Sequence, residues 1–284
     1  MDLNNDTFNK ARQELIDLHT HLHPPRLFAA IRRWFAERST WKLDHQPSEP
    51  ADVAAVLRAN GIERFVFCSY AHRTGMAREL NAWLAQTSRE LGGYGLPLAT
   101  VHLDDPDYVV DFETALADGC IGIKIHEDVQ RLHVEDPRFD PVYERLGEHG
   151  FVLAHVGPTP WSEDAGAPRR VERVVQRHPQ LRFIVAHMGG ENVAEYFPLL
   201  ARYPNLYLDT TMALAADSPM TLTIDPSLVE SHARQIVYGT DFPNIPYAYG
   251  SELRAIDELG LSAASRNAIV RENALRLIGA KKDA

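Results

Sequence analysis

The chain has 284 residues, of which 45% are hydrophobic and 24% are charged, and its formal net charge is -10. This composition is ordinary for a soluble globular protein, and the acidic balance argues against a nucleic-acid partner because phosphate binding needs a basic face. The sequence shows neither a basic and then apolar leader nor the ~18 apolar residues of a membrane span. We therefore expect a cytoplasmic protein with no membrane partner.

The two cysteines, Cys68 and Cys120, each lie in or beside an apolar segment. Buried free thiols are commoner than a disulfide in a reducing compartment. Neither cysteine belongs to a Cys-x-x-Cys pair, so no thiolate metal site is expected.

Short apolar or β-branched runs alternate with segments of helical spacing along most of the chain. We predict eight strands, at residues 15–19, 64–69, 96–103, 121–126, 151–155, 181–187, 206–209 and 236–240. The predicted helices between them are residues 51–60, 76–91, 106–117, 141–150, 169–177, 192–203 and 251–259. Residues 262–279 read as one closing helix, with Ser262 as its N-cap and Gly279 as its stop.

This order of elements predicts a (β/α)8 TIM barrel. Strands that are apolar throughout are expected when helices cover both faces of a parallel sheet, and eight β/α units favour a closed barrel over an open doubly wound sheet. A dinucleotide-binding sheet would also carry a Gly-x-Gly-x-x-Gly turn after an early strand, and the sequence has none. We predict a single domain over residues 1–284.

Two connections are longer than a barrel needs: residues 210–226, whose position suits a substrate loop, and residues 23–50. Within 23–50, apolar side chains at helical spacing predict an inserted helix. These side chains are Leu27, Phe28, Ile31, Trp34 and Phe35. The apolar stripe is explained either by ordinary packing on the barrel or by a function, as a lid over the barrel mouth or as a subunit interface that would allow a homodimer.

The first strand ends in His19-Thr20-His21, and the two-residue side-chain period of a strand points both imidazoles to one side. Four later strands also end in groups that bind metals or substrates. In a parallel barrel all strand C-termini meet at one rim, so these residues converge although they are far apart in sequence. They are Lys124, His126, His155, His187 and Asp241.

Imidazoles and a carboxylate together suit Zn²⁺ or a similar divalent ion, with a position left for water. Such an ion would lower the pKa of its bound water toward ~7 and make hydroxide available. Asp241 could then bind the ion, take the proton of that water and return it to a leaving group. Taken singly, each residue also has a structural explanation, such as a hydrogen-bonded core histidine, a lysine that reaches solvent, or a turn-shaping aspartate.

The ordered set of motifs resembles the amidohydrolase superfamily from about residue 14 to residue 279. More narrowly, it is similar to the amidohydrolase-related branch of metal-dependent hydrolases, lactonases and decarboxylases, which are built on a distorted TIM barrel. The closing segment Glu272-Asn273-Ala274 is also similar to that branch. The other motifs are His19-x-His21, Gly122-Ile123-Lys124-Ile125-His126, Ala154-His155-Val156-Gly157, Ala186-His187-Met188-Gly189-Gly190 and Gly239-Thr240-Asp241-Phe242-Pro243.

The resemblance implies a metal held by His19, His21, His155 and Asp241. It implies that His187 polarises the substrate or holds a second ion. Lys124 matches the strand on which some members carry a carboxylated lysine that bridges two metals, but His126 lies two residues further on and faces the same way. We favour one ion, with Lys124 and His126 contacting substrate or metal ligands, although two ions stay open, and some lactonases of the branch work without metal.

We expect hydrolysis of a C–O or C–N bond in a small lactone, ester or amide. The alternative is a decarboxylase of an aromatic or enol acid, although many such members carry a glutamate in the first-strand motif; a barrel that binds metal without catalysis is a third reading. Arg26, Arg73 and Arg131 follow strands and could pair with a substrate carboxylate. Trp161 and Tyr247 lie in loops where they could form an aromatic wall.

Overall fold

Eight strands form the frame of the protein in the computed structural model, which describes residues 15–39, 41–47, 49–147, 150–157 and 166–279. All paired neighbours run parallel. The strands are β1 (Leu15–His21), β2 (Ile62–Cys68), β3 (Gly95–Pro97), β4 (Ile123–His126), β5 (Phe151–His155), β6 (Arg182–Val185), β7 (Leu206–Asp209) and β8 (Ile236–Val237).

The strands pair in chain order as two sheets, β1-β2-β3 and β4-β5-β6-β7-β8. Two bridges join the sheets, one between Ala99 and Ile123 and one between Thr20 and Phe242. At the second seam the His21 amide donates to the Phe242 carbonyl at 2.8 Å, and the Thr240 hydroxyl donates to the Asp17 carboxylate at 2.6 Å. Both seams are therefore closed, and the predicted (β/α)8 TIM barrel is confirmed.

Helices follow the strands as predicted, and two further short helices occur in loops, at Glu127–Gln130 and Pro226–Ser231. The helices are α1 (Pro25–Arg38), α2 (Pro50–Ala59), α3 (Ala77–Glu90), α4 (Tyr108–Ala117), α5 (Glu127–Gln130), α6 (Asp140–Leu146), α7 (Ala167–Arg177), α8 (Val193–Arg202), α9 (Pro226–Ser231), α10 (Ser251–Glu258), α11 (Ala263–Asn267) and α12 (Asn273–Leu277). None of the helices in these described ranges is long and apolar enough to cross a membrane.

Several strands are shorter than predicted, and the causes differ between β3 and β6. After β3, the side chain of Asn81 on α3 donates to the Thr100 carbonyl and accepts from the Thr100 amide, both at 2.9 Å. After β6, the backbone turns left-handed at His187 and Met188, with φ of 56° and 52°. A strand cannot continue through such angles, and non-glycine residues adopt them at a cost.

The closing helix is interrupted by a π-helical turn at residues 268–272, between α11 and α12. The carbonyl of Ile269 in this turn accepts a hydrogen bond from the Tyr238 amide of the segment after β8 at 3.0 Å. The predicted N-cap is confirmed, since the Ser262 hydroxyl accepts from the Ser265 amide. The prediction of one uninterrupted α-helix was wrong in this detail, because the π turn leaves the Ile269 carbonyl free to accept a hydrogen bond from the barrel.

Candidate active site

The C-terminal rim of the barrel carries a buried histidine cluster. His19 and His21 leave β1 with side chains 0% and 4% exposed. His126 and His155 end β4 and β5, directly opposite each other in the strand register. His187 follows β6 and is also buried. The predicted convergence of these strand ends is therefore observed.

Asp241 connects the two histidines of β1. Its Oδ1 atom lies 2.8 Å from His21 Nε2 and 3.3 Å from His19 Nε2. Asp241 has a left-handed φ of 64°, and its amide donates to the His19 carbonyl at 2.8 Å. A strained non-glycine backbone held by tertiary contacts is characteristic of functional sites. Burial raises the pKa of Asp241, but the charge and hydrogen bond of His21 outweigh burial and hold it below its usual range.

Asp209, at the end of β7, orients His19 from behind. Its Oδ2 atom lies 2.8 Å from His19 Nδ1, and its Oδ1 atom accepts from the amides of His187 at 2.8 Å and Thr211 at 3.1 Å. A carboxylate that accepts from Nδ1–H leaves Nε2 with a free lone pair, which is the usual arrangement of a metal-binding histidine. Asp209 was not among the predicted site residues, although it too ends a predicted strand.

Gly239 allows the chain after β8 to pass close to His19. A Cβ atom at residue 239 would lie 2.6 Å from Thr211 Oγ1 and 2.8 Å from His19 Cβ. Both separations are shorter than real Cβ contacts, so any larger residue would displace His19 or the loop after β7. Glycine here is a requirement of close packing around the site.

His21 has a different partner on its far side. Its Nδ1 atom lies 3.5 Å from Cys68 Sγ at the end of β2, and the thiol donates to the Thr20 carbonyl at 3.3 Å. Potential ligand atoms of His19, His21 and Cys68 all lie within 4.8 Å of one another. Cys68 is a buried free thiol, as predicted, but its position beside His21 was not predicted from the sequence.

Lys124 of β4 also reaches His19. Its side chain is buried, with 1% exposed, and its Nζ atom lies 2.9 Å from His19 Nε2. The solvent-reaching lysine that the sequence left open is therefore excluded. Burial and the neighbouring Lys124 lower the pKa of His19 well below its usual value, so the imidazole is neutral. An ion bound at His19 Nε2 would have to share or displace this contact.

His155 belongs to a second group of rings. His155 Nδ1 lies 3.0 Å from His187 Nε2, and His187 Nδ1 lies 3.0 Å from the Thr211 carbonyl. A carbonyl accepts only, so His187 carries its proton on Nδ1, and its Nε2 accepts from His155 Nδ1–H. His155 also stacks on His126, with ring centroids 4.1 Å apart and planes 7° apart. Burial lowers the pKa of His155 well below its usual value, so the ring is neutral.

A cavity of about 810 Å³ adjoins this rim, between α1 and the loops after β2 and β4. His126 and Tyr70 line it, and the Tyr70 ring lies 6.0 Å from that of His21. From α1 it is lined by Leu27, Ala30, Ile31, Trp34 and Phe35. The apolar stripe of the inserted helix thus forms part of the cavity wall.

The predicted substrate contacts are only partly brought to this cavity. Arg131 lines it, whereas Arg26 and Arg73 are exposed and are not among the described residues of its wall. Tyr247 is 5% exposed and packs in the hydrophobic core. Trp161 lies outside the described residues.

The donor atoms at the rim fit a divalent ion. Ligands bound at 2.0–2.1 Å to a tetrahedral ion lie about 3.3 Å apart, and His19 Nε2 and Asp241 Oδ1 are 3.3 Å apart. The far nitrogens of His19 and His21 are both held by other side chains, as expected of metal-binding imidazoles. Two imidazoles and an ionised carboxylate thus face one point.

Comparison with protein families finds one model, described as amidohydrolase, that matches residues 16–280. No curated protein gives a significant match. Among solved structures, an uncharacterized TIM-barrel protein from Bordetella bronchiseptica is similar with a TM-score of 0.73 and 21% identity, over 94% of this chain and 98% of that one.

Two other similar structures carry named activities. A 5-carboxyvanillate decarboxylase from Novosphingobium aromaticivorans, in complex with manganese and a nitrobenzoic acid, has a TM-score of 0.67 and 16% identity, over 94% of this chain and 96% of that one. A probable 2-pyrone-4,6-dicarboxylic acid hydrolase from Acinetobacter baumannii has a TM-score of 0.62 and 13% identity, over 94% and 99%. At these identities the likeness shows a shared fold.

Proposed function

This chain belongs to the amidohydrolase family, whose model it matches over residues 16–280, and on that premise we propose that it is a metal-dependent hydrolase of a small lactone, ester or amide. The family and the similar structures indicate an enzyme but include decarboxylases as well as hydrolases. The reaction must therefore be argued from the site.

Asp241 is the observation that carries the proposal. It is an ionised carboxylate whose Oδ1 atom meets the Nε2 atoms of both β1 histidines, and its side chain is 14% exposed, so water can reach it. An ionised, partly accessible carboxylate can accept a proton from an attacking water and return it to a leaving group. Asp209 is fully buried and bonded to His19, so it cannot take this role.

His19, His21 and Asp241 would hold one divalent ion, and His155 would supply a further nitrogen. We propose Zn²⁺, because imidazole nitrogens and a carboxylate suit it; the manganese complex of the decarboxylase makes Mn²⁺ the second choice. When bound, the ion would supply Lewis acidity and lower the pKa of a coordinated water. The remaining tasks fall to the side chains of the chain itself.

His126 and His187 would then differ in role. Both ring nitrogens of His187 have protein partners, so we propose that it positions His155 and that polarising a substrate would require it to give up that contact. His126 lines the cavity, and its Nδ1 atom accepts from the Val129 amide at 3.5 Å. This contact leaves the proton on Nε2, where His126 can donate to a substrate oxygen.

The substrate would extend from the rim into the cavity beneath α1. Five side chains of α1 and Tyr70 contribute apolar surface to its wall, and Arg131 contributes a positive charge. Small-molecule sites of this kind bury an apolar body and orient it with a few polar groups. We therefore propose a substrate with an apolar or aromatic body and a carboxylate that Arg131 can bind.

Trp34→Ala should raise KM about tenfold, equivalent to about 1.4 kcal/mol, and leave kcat within threefold. The ring lines the cavity on α1, so its loss removes binding area, whereas Asp241, the proposed proton-transfer group, is left unchanged. Steady-state kinetics on the best substrate of a screening panel would measure both constants. Arg33→Ala, an exposed position on the same helix, is the control. An equal change in Arg33→Ala, or a fall confined to kcat, would contradict this role.

Decarboxylation of an aromatic acid is the second candidate, favoured by the aromatic side chains of the cavity wall and by the structural likeness to a decarboxylase. The two reactions differ in whether water enters the product. The metal-loaded protein should be tested on lactones, esters, amides and aromatic acids in ¹⁸O-water. Hydrolysis places one ¹⁸O in the product carboxylate, whereas stoichiometric CO₂ release with no ¹⁸O in the organic product would exclude our proposal.

A further inference from the structure

Cys68 lies directly behind one of the proposed metal ligands. It ends β2, pairs with His21 in the parallel register and is fully buried. The Sγ atom donates to the Thr20 carbonyl at 3.3 Å and lies 3.5 Å from His21 Nδ1. A thiol has one weak proton to donate and sulfur lone pairs that accept. Once its proton is bound by Thr20, the sulfur can only accept from His21.

We propose that Cys68 is a positioning residue for metal binding, whose sulfur accepts the Nδ1 proton of His21 and so directs Nε2 toward the ion. Metal-binding histidines usually donate their second nitrogen to a carboxylate, a carbonyl or water, and this contact fixes both the tautomer and the ring angle. His19 follows that rule through Asp209. For His21, the thiol of Cys68 takes the place that the Asp209 carboxylate has for His19.

The geometry argues against Cys68 as a ligand. The nitrogen of His21 that faces Asp241 is Nε2, whereas the nitrogen that faces Cys68 is Nδ1. These two lone-pair directions point away from each other across the imidazole ring. An ion that contacts Asp241 Oδ1 and the Nε2 atoms of His19 and His21 therefore lies on the side of the His21 ring that faces away from the sulfur. The mutual proximity of the ligand atoms of His19, His21 and Cys68 follows from strand pairing.

This inference rests on the metal site of the proposed function, and metal affinity tests it without any substrate. Zn²⁺ dissociation constants would be measured by chelator competition for the full-length wild type, Cys68→Ala and Cys68→Ser. We expect Cys68→Ala to weaken binding about 10- to 100-fold. Cys68→Ser should stay within about threefold of wild type, because a hydroxyl can also donate to Thr20 and accept from Nδ1. Cys120→Ala, the other buried free cysteine, should leave the affinity unchanged.

Absorption spectra of the Co²⁺-loaded protein distinguish positioning from ligation. A thiolate ligand would give an intense near-ultraviolet charge-transfer band in wild type that Cys68→Ser abolishes, and that result would overturn the inference. Unchanged Zn²⁺ affinity in Cys68→Ala, with a melting temperature of the metal-free protein equal to wild type, would also overturn it. If wild type itself bound no ion, the proposed function would fail as well, so the two failures are distinguishable.

Discussion

Asp241→Asn should reduce kcat about 10³-fold while the protein keeps its fold. The amide preserves the shape of the side chain, but it cannot accept a proton, and general acid–base catalysis contributes about 10² to 10⁴. It also replaces a charged acceptor of His21 by a neutral one at a contact of 2.8 Å. Part of the loss should therefore appear as weaker metal binding. Turnover at saturating Zn²⁺, measured beside metal content, separates these two effects.

The control for this substitution is Asp118→Asn, an exposed carboxylate at the end of α4. It should leave kcat and metal content unchanged. A value of kcat for Asp241→Asn within tenfold of wild type, at full metal occupancy, would show that another group moves the proton. His187 would then be the next candidate, through release of its contact with His155.

His19→Ala should remove the metal and nearly all activity. His19 is fully buried, and its two nitrogens contact Asp209 at 2.8 Å and Lys124 at 2.9 Å. Its loss removes a ligand and also leaves a buried carboxylate and a buried amine without this partner. Removing one member of a buried charged network costs about 3 to 5 kcal/mol. Because a metal ligand is lost, we expect elemental analysis to find less than about a tenth of an ion per chain. We also expect a clearly lowered melting temperature.

His133→Ala provides the matched histidine control, because its side chain is 62% exposed. The melting temperature of metal-free wild type is the reference for His19→Ala, since it separates the loss of the ion from the loss of the buried contacts. Full metal occupancy in His19→Ala would contradict the assignment of His19 as a ligand. Circular dichroism would show whether the barrel is retained.

The convergence of the site residues followed from the sequence because a parallel barrel places every strand end on one rim. His19 and His21 could be assigned to one side from the strand period alone, and Asp241 followed a predicted eighth strand. The places where strands end were less predictable. β6 stops at Val185 because His187 and Met188 adopt left-handed angles, and such angles depend on contacts from distant segments rather than on local preference.

The partners of the histidines could not be predicted. Asp209 ends a predicted strand and had no predicted role, yet its carboxylate contacts His19 Nδ1, 190 positions away in the sequence. Lys124 was expected to face the rim, yet only the structure shows that it contacts His19. His155 was predicted as a metal ligand, but its contact with His187, through Nδ1 at 3.0 Å, was not predicted. Which group each histidine contacts depends on side-chain angles and on distances of about an ångström. A pattern of residue types does not contain this information.

The sequence by itself determined the barrel and the residue types at its rim, because hydrophobic periodicity and the ends of apolar runs are local properties that can be recognised without the tertiary structure. Only the tertiary structure decided which nitrogen of each histidine is free, since that depends on the group behind the ring. Asp209 contacts Nδ1 of His19 and so turns Nε2 toward the rim, Cys68 faces Nδ1 of His21, and the Thr211 carbonyl sets the tautomer of His187. The hydrogen-bond partner of each ring depends on which group lies beside it in space. Strand pairing and loop packing bring these partners together from distant parts of the chain.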